Sequence, residues 1–335
     1  MSTIQDVALR AKISITTVSR VINNSPHRVN RVTRERVLKT IKEMDFRPNA
    51  LAQGLITKRT MTVGVIIPDI SNPYYAEIVR GIQDRADDEG YAVILQNTDR
   101  KLERIIQHIH LFREKRADGI IFSGGIIHGY EPLSALRELS QRIVVIGRHE
   151  VDFPAVRVDN IGGATLAIQH LVDLGHQRIC FINGPEMSTS SIDRLQGFKN
   201  ALAQNGIPFE YRMVKRGNLT PESGYQAGRE LLEMPDRPTA VFASNDLMAF
   251  GAIHAARDLG LSVPGDLAMV GFDNIQLSSY FNPTLTTVEI PMYNLGTAAM
   301  KMIVNMASDN SFDRYQWFKP RLLIRHSTQN KVSRE

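Results

Sequence analysis

From Thr62 onward, short apolar runs alternate with longer amphipathic stretches, and this alternation limits the fold more than any other feature of the chain. Val63-Gly64-Val65-Ile66-Ile67, Ala92-Val93-Ile94-Leu95, Gly119-Ile120-Ile121-Phe122 and Ile143-Val144-Val145-Ile146 read as buried strands. Between them, residues 73–90, 102–115 and 132–140 carry helical spacing. A second series then starts: helix 161–174, strand 178–182, helix 191–205, a strand near Met213, helix 221–234, strand 240–244, helix 246–259 and strand 267–271. Strands that are apolar throughout and joined through helices belong to parallel sheets covered on both faces. Two such series predict two α/β lobes of roughly 100 residues each. Ligands of open parallel sheets bind beyond the carboxyl ends of the strands, so two facing lobes enclose a cleft.

The first 46 residues follow different rules. Thr3 with Asp6 three residues later resembles a capping box that starts a helix at Ile4, with Ile4, Val7, Ala8 and Ala11 as its apolar stripe. After a turn at Lys12-Ile13-Ser14, Ser14 caps a second helix. Its Val18, Val21 and Ile22 face inward, leaving Ile15, Thr16, Ser19, Arg20 and Asn23 outward. Thr33 is expected to cap a third helix whose Val37, Leu38, Ile41 and Met44 close a small core. Two helices joined by so short a turn form a helix-turn-helix, whose second helix enters the major groove. Charge supports that reading. Residues 1–60 hold twelve Lys or Arg against four Asp or Glu, a net of +8, whereas the other 275 residues carry −3 of the whole-chain +5. A polyanion held through its phosphates is the expected partner.

Asp6-Val7-Ala8, Ser14, Thr17-Val18-Ser19-Arg20-Val21-Ile22-Asn23, Thr33-Arg34-Glu35-Arg36-Val37 and Arg47-Pro48-Asn49-Ala50-Leu51-Ala52 occur in one order. This head resembles that of the LacI family of bacterial repressors. The resemblance continues through Ser71-Asn72-Pro73-Tyr74-Tyr75, Asp193-Arg194-Leu195-Gln196-Gly197-Phe198, Ser244-Asn245-Asp246, Gly271-Phe272-Asp273-Asn274 and Pro283-Thr284-Leu285-Thr286-Thr287. It implies a helix-turn-helix DNA-binding domain at 1–46, a hinge helix and linker at 47–60, and a periplasmic-binding-protein-like core at 61–335. One lobe of that core spans about 61–160 plus 291–319, the other about 161–290 plus 320–328.

The resemblance also implies roles. Ile15, Thr16 and Arg20 read bases, with Arg20 suited to guanine and Ile15 limited to apolar contact. Ser14, Thr17, Ser19 and Asn23 position the head on phosphates or cap. Asn49, Ala52 and Leu55 belong to a hinge helix. Gly54 and the shortness of that helix keep it unfolded on its own, and it folds against a partner subunit to drive Leu55 into the minor groove.

In the core, the implied effector contacts are Tyr74, Tyr75, Arg148, Arg194, Leu219, Asn245 and Asp273. Arg194 offers a fork of donors and Asp273 a pair of acceptors, a combination suited to hydroxyl-rich or zwitterionic ligands. Structural readings stand beside these: Asp246 capping the helix from Leu247, Asp273 in a turn with Asn274, and Arg194 paired with Glu186. Leu219 and Ser188 replace an aromatic and a basic group found in some relatives, which argues against a purine.

The function implied is a ligand-responsive repressor, a homodimer on a pseudo-palindromic operator, switched by a small-molecule effector of carbohydrate type. A two-lobed solute-binding transport protein is the alternative, opposed by the basic head and by an N-terminus without an apolar leader. An enzyme is not expected: Ser123-Gly124-Gly125-Ile126-Ile127-His128-Gly129 follows a strand but has neither dinucleotide nor Walker spacing. His108 and His110 lie on different faces of a helix and read as solvated surface rather than metal ligands. The single cysteine, Cys180, excludes an intrachain disulfide and reads as a small core residue. No cofactor is expected, no apolar run is long enough to span a bilayer, and a cytoplasmic location follows.

Overall fold

The structure, a computed structural model, describes residues 2–22, 29–46, 59–124, 142–149, 152–308 and 310–329. The chain divides into two units, Met1–Met61 and Thr62–Glu335.

Among the described residues the head has three helices: α1 Ile4–Ala11, α2 Ile15–Ile22 and α3 Arg31–Glu43. Both halves of the capping box at Thr3 and Asp6 are formed. Lys12 takes a left-handed conformation, φ 54, and lets the chain turn while the Ile13 amide still reaches the Ala8 carbonyl at 3.0 Å. Ser14 then accepts from the Thr17 amide at 3.2 Å and begins α2. Each helix contributes one fully buried valine: Val7, Val18 and Val37. Two expectations fail in α3. Asn30, not Thr33, caps it, accepting from the Val32 amide at 2.9 Å. Leu38 is exposed, and Thr40 and Phe46 are buried in its stead. Thr40 returns its hydroxyl to the Arg36 carbonyl, which lets a polar residue occupy the apolar side of the helix.

The second unit contains two six-stranded sheets. In the first lobe the order is β11-β5-β4-β3-β1-β2, built from β1 Thr62–Ile67, β2 Ala92–Asn97, β3 Gly119–Ser123, β4 Arg142–Ile146, β5 Ala155–Val158 and β11 Tyr315–Phe318, all parallel. In the second lobe the order is β12-β10-β9-β8-β6-β7. Here β6 Ile179–Asn183, β7 Val214–Arg216, β8 Ala240–Ala243, β9 Ala268–Asp273 and β10 Thr286–Glu289 run parallel. β12 Arg321–Leu323 closes one edge antiparallel to β10. The chain crosses between lobes after β5, after β10 and after β11. The helix expected at 132–140 and most of the glycine-containing loop that precedes it lie outside the described residues.

Each lobe is tightened by a pair of helices that meet backbone to backbone. α4 Pro73–Asp88 packs on α10 Met292–Ala307, and a Cβ added at Gly81 or Gly296 would sit 2.1 Å from the Tyr293 carbonyl oxygen or 2.0 Å from that of Ile78. In the other lobe, α8 Pro221–Leu232 meets α9 Asp246–Asp258 in the same way: a Cβ at Gly251 would lie 1.9 Å from the Pro221 oxygen. Such approaches leave no space even for a methyl group. α5 Leu102–Glu114 covers the opposite face of the first sheet through Ile105, Ile109 and Phe112. On that helix His108 is half-buried, with Nε2 3.3 Å from the Asn97 carbonyl, so only His110 fits the solvated reading. Cys180 lies buried in β6, where burial pushes its thiol up to about 12.

A DNA-reading face and an interlobe cleft

On the head, the second helix presents the expected surface. Ile15 is 46% exposed, and Thr16 and Arg20 face solvent beside it while Val18 and Val21 point inward. Ser14 and Thr17 are spent on the helix start, their hydroxyl oxygens 2.9 Å apart. Ser19 is half-buried. No acidic side chain stands in the first turn of α2, so nothing there repels a phosphate from the positive helix end. Asn23, Asn49, Ala52 and Leu55 lie outside the described residues.

In the core, the carboxyl ends of both sheets bound a cleft of about 850 Å³, part of it open to solvent. Tyr74, Tyr75, Arg194, Leu219, Asn245 and Asp273 all line it. The second lobe supplies a buried pair of opposite charges. Arg194, on α7 Thr189–Gln204, is buried with its Cζ 3.7 Å from the centroid of the Phe272 ring. Its Nε donates to Asn160 Oδ1 at 3.0 Å, and Nη1 donates to the Ser244 carbonyl. Its Nη2 faces Asp273 Oδ1 at 3.8 Å, a loose pairing for two buried opposite charges. Burial outweighs the attraction and pushes the Asp273 carboxyl well above its usual range, although Arg194 pulls it down. A ligand hydroxyl that donates to Asp273 and accepts from Arg194 would relieve both groups.

The first lobe supplies aromatic surface. Asn72 caps α4, accepting from the Tyr74 amide at 3.0 Å, and thereby sets Tyr74 and Tyr75 edge to face, centroids 4.8 Å apart. Burial raises both phenols, Tyr75 to about 12, so they act as neutral hydrogen-bonding groups. Gly124 lies against the Tyr75 ring, where a Cβ would come within 2.2 Å of its hydroxyl.

Several expectations about this site need correction. Asn245, not Asp246, caps α9: its Oδ1 accepts from the Met248 amide at 3.0 Å and its Nδ2 donates to the Leu219 carbonyl at 3.1 Å. Arg194 does not pair with Glu186, which is taken by Arg216. Arg148 is not among the residues lining the cleft. Its guanidinium crosses from the first lobe to Asp193 on α7, with Nη2 to Oδ1 at 2.6 Å, while the Thr189 hydroxyl donates to its carbonyl at 2.8 Å. Asn160, Arg100, His149 and Ser190 also line the cleft and were not anticipated. They sit in loops or at helix starts, where no periodicity marks them. Among the described residues no group of three or more His, Cys, Asp or Glu could hold a metal ion.

A DNA-reading helical head joined in one chain to a two-lobed ligand-binding core defines a class of protein, the ligand-responsive transcription regulator. Comparison with known proteins gives the family. Residues 3–49 match the model for bacterial regulatory proteins of the lacI family, and residues 60–317 match that for periplasmic binding proteins and the sugar-binding domain of the LacI family. The chain belongs to the LacI family; it is a helix-turn-helix transcription regulator and not an enzyme. It is 41% identical to catabolite control protein A of Priestia megaterium, over 93% of this chain and 94% of that one. It is 36% identical to the transcriptional repressor CytR of Escherichia coli strain K12, over 98% and 96%. A lac repressor dimer bound to operator and the anti-inducer ONPF superimposes with a TM-score of 0.88 at 28% identity, covering 98% of this chain and 99% of that one.

Proposed function

We propose that this regulator is a repressor that binds a pseudo-palindromic operator as a homodimer and is switched by a carbohydrate in the interlobe cleft. The observation that carries the effector part is the buried, loosely paired Arg194 and Asp273 beneath Tyr74 and Tyr75. Donors, acceptors and an aromatic face in one cleft are what a sugar needs. Two similar structures bear on the ligand class: the regulator CelR in complex with cellobiose, 31% identical with a TM-score of 0.74, and an Enterococcus faecium regulator with bound ribose, 29% identical with a TM-score of 0.71. Ile15, Thr16 and Arg20 read a half-site, Leu55 wedges the centre of the operator, and the protein acts in the cytoplasm where its DNA is. Sugar binding changes the relation of the lobes and so the folding of the paired hinges. Its sign, release or tightening, depends on which state the sugar prefers.

The dimer reading is supported by a largely apolar groove on the second lobe, where Phe250 and Phe281 stack and Leu277 is 49% exposed. A second copy is the occupant we assign to it; that the similar lac repressor structure is a dimer supports the oligomeric state.

The test is thermal-shift screening of the full chain against sugars, sugar phosphates and nucleosides. A ligand at 100 times its dissociation constant stabilises by about 2.7 kcal/mol. The reading expects a sugar to give that shift and Arg194→Ala or Asp273→Ala to abolish it. A shift left intact in both variants would remove these residues from the site.

A further inference from the structure

The carboxylate assigned to the effector stands on a strained backbone. Asp273 has φ 113 and Asn274 φ 58, two successive non-glycine residues in the left-handed half of conformational space. Such strain persists only where the surroundings over-determine it. The restraints are visible. The Asn274 amide donates to Thr287 Oγ1 at 3.3 Å, and its side chain is held at both ends, by Arg325 Nη2 at 2.7 Å and by Glu289 Oε1 at 2.9 Å.

Beneath this segment lies Asp246, a fully buried carboxylate at the first position of α9. It is not needed for the cap, which Asn245 makes. Its Oδ2 accepts from the Ile275 amide at 2.9 Å and from Ser278 Oγ at 2.6 Å, and its Oδ1 accepts from Thr287 Oγ1 at 2.5 Å. The strand is bare where the carboxylate passes: a Cβ at Gly271 would lie 2.2 Å from Oδ1. The hydrogen bonds form a directed chain, in which the Asn274 amide donates to the Thr287 hydroxyl and that hydroxyl donates to Asp246. Only an acceptor at both oxygens keeps the direction, because an amide would turn an N–H toward one of the converging donors.

We infer that Asp246 is a positioning residue for effector binding. Through the Ile275 amide and the Thr287 hydroxyl it locks residues 273–275 in the strained turn that aims the Asp273 carboxylate at Arg194. The inference rests on the effector reading of Asp273, and it assigns Asp246 no contact with the effector.

Hydrogen exchange on the full-length chain tests it without a known ligand. In Asp246→Asn, and separately in Thr287→Val, exchange across 273–280 is expected to rise about tenfold or more, as loss of a charge-assisted hydrogen bond predicts. Thr287→Ser, which keeps the hydroxyl, retains the wild-type rate, and β1 at 62–67 stays unchanged in all three. Unaltered exchange at 273–280 in both disruptive variants overturns the inference. So does a uniform rise that includes 179–183, because Asp246 then serves the whole lobe. A sugar that stabilises the wild type, with D-ribose and cellobiose as first probes, should bind about tenfold more weakly to Asp246→Asn; equal affinity would also overturn the inference. Failure of every sugar to shift the wild type counts against the effector reading alone, and the exchange comparison still decides the anchor.

Discussion

The head and the core of this chain solve recognition in opposite ways. The head keeps the residues we assign to base reading in water: Ile15, Thr16 and Arg20 stand exposed, in front of a small core that includes Val7, Val18, Val37 and Phe46. The core takes the charges we assign to the effector out of water: Arg194 and Asp273 are each less than 10% exposed and are held by one another, by Phe272 and, on our inference, by the Asp246 anchor. The difference teaches where function and stability are separable. On this reading a base-contacting residue of the head should tolerate change without loss of fold, whereas in the cleft the same atoms should serve both binding and folding.

The largest effect expected from this contrast is in the cleft. Arg194→Ala leaves Asp273 buried without its cation and strands the Ser244 carbonyl, a loss of about 3–5 kcal/mol for breaking a buried pair. Urea unfolding of the full chain should show a core that unfolds earlier, together with loss of any sugar-induced shift. A core as stable as the wild type would break the comparison. In the head, Val18→Ala removes a fully buried side chain from a core that has few others and should cost about 2 kcal/mol, visible as loss of head helicity in circular dichroism. Arg20→Ala should leave both unfolding transitions in place and lower discrimination between operator variants by about 1–3 kcal/mol in fluorescence anisotropy. Destabilisation by Arg20→Ala would show that the head does not separate reading from folding.

A fourth expectation concerns pH. Burial raises the folded Asp246 carboxyl to about 6 from an ordinary 3.8, and raises Asp273 as well. A carboxyl whose folded pKa exceeds its unfolded value contributes stability below the unfolded pKa, and that contribution is lost as pH rises through the folded one. Relative to Asp246→Asn, the wild-type core should therefore lose stability between pH 4 and pH 6–7. A flat difference across that window would show the carboxyl to be unshifted. The smallest effect belongs to the Arg148–Asp193 pair at the lip of the cleft. Arg148 is 45% exposed, and Arg148→Ala should change stability by under about 1 kcal/mol while altering sugar affinity through lobe closure.

The same contrast explains what the sequence made legible. The head's first two helices, the turn between them and the outward face of the second follow from helical spacing over 22 residues, because those outward residues are neighbours on one element. The alternation of strands and helices in the core was readable as far as β9, whereas β5, α10 and the closing strands β10, β11 and β12 were not among the expected elements. The cleft was readable only in part, because its side chains come from β9, α4, α7 and the turns after β2, β4, β7 and β8, and no local pattern says which of them meet. Arg194 and Asp273 came from family resemblance, and Asn160, which holds the Arg194 guanidinium, carried no signal at all. Asp246 is the clearest limit. Beside Asn245 it reads as a helix cap, and only the fold shows the Ile275 amide and Thr287 converging on it from 29 and 41 residues away. The reciprocal close contacts at Gly81 with Gly296, and at Gly224 with Gly251, are likewise products of tertiary approach.

The central claim is that the exposed reader is governed by the buried cleft. Its most direct test is fluorescence anisotropy of the full-length protein on a duplex from its own promoter, titrated with the sugar found by thermal shift, in wild type and in Arg194→Ala and Asp273→Ala. The account predicts that the sugar changes wild-type operator affinity about tenfold or more, within the usual range of allosteric coupling, and changes neither variant's affinity. An operator affinity indifferent to a sugar that the wild-type core demonstrably binds would contradict it.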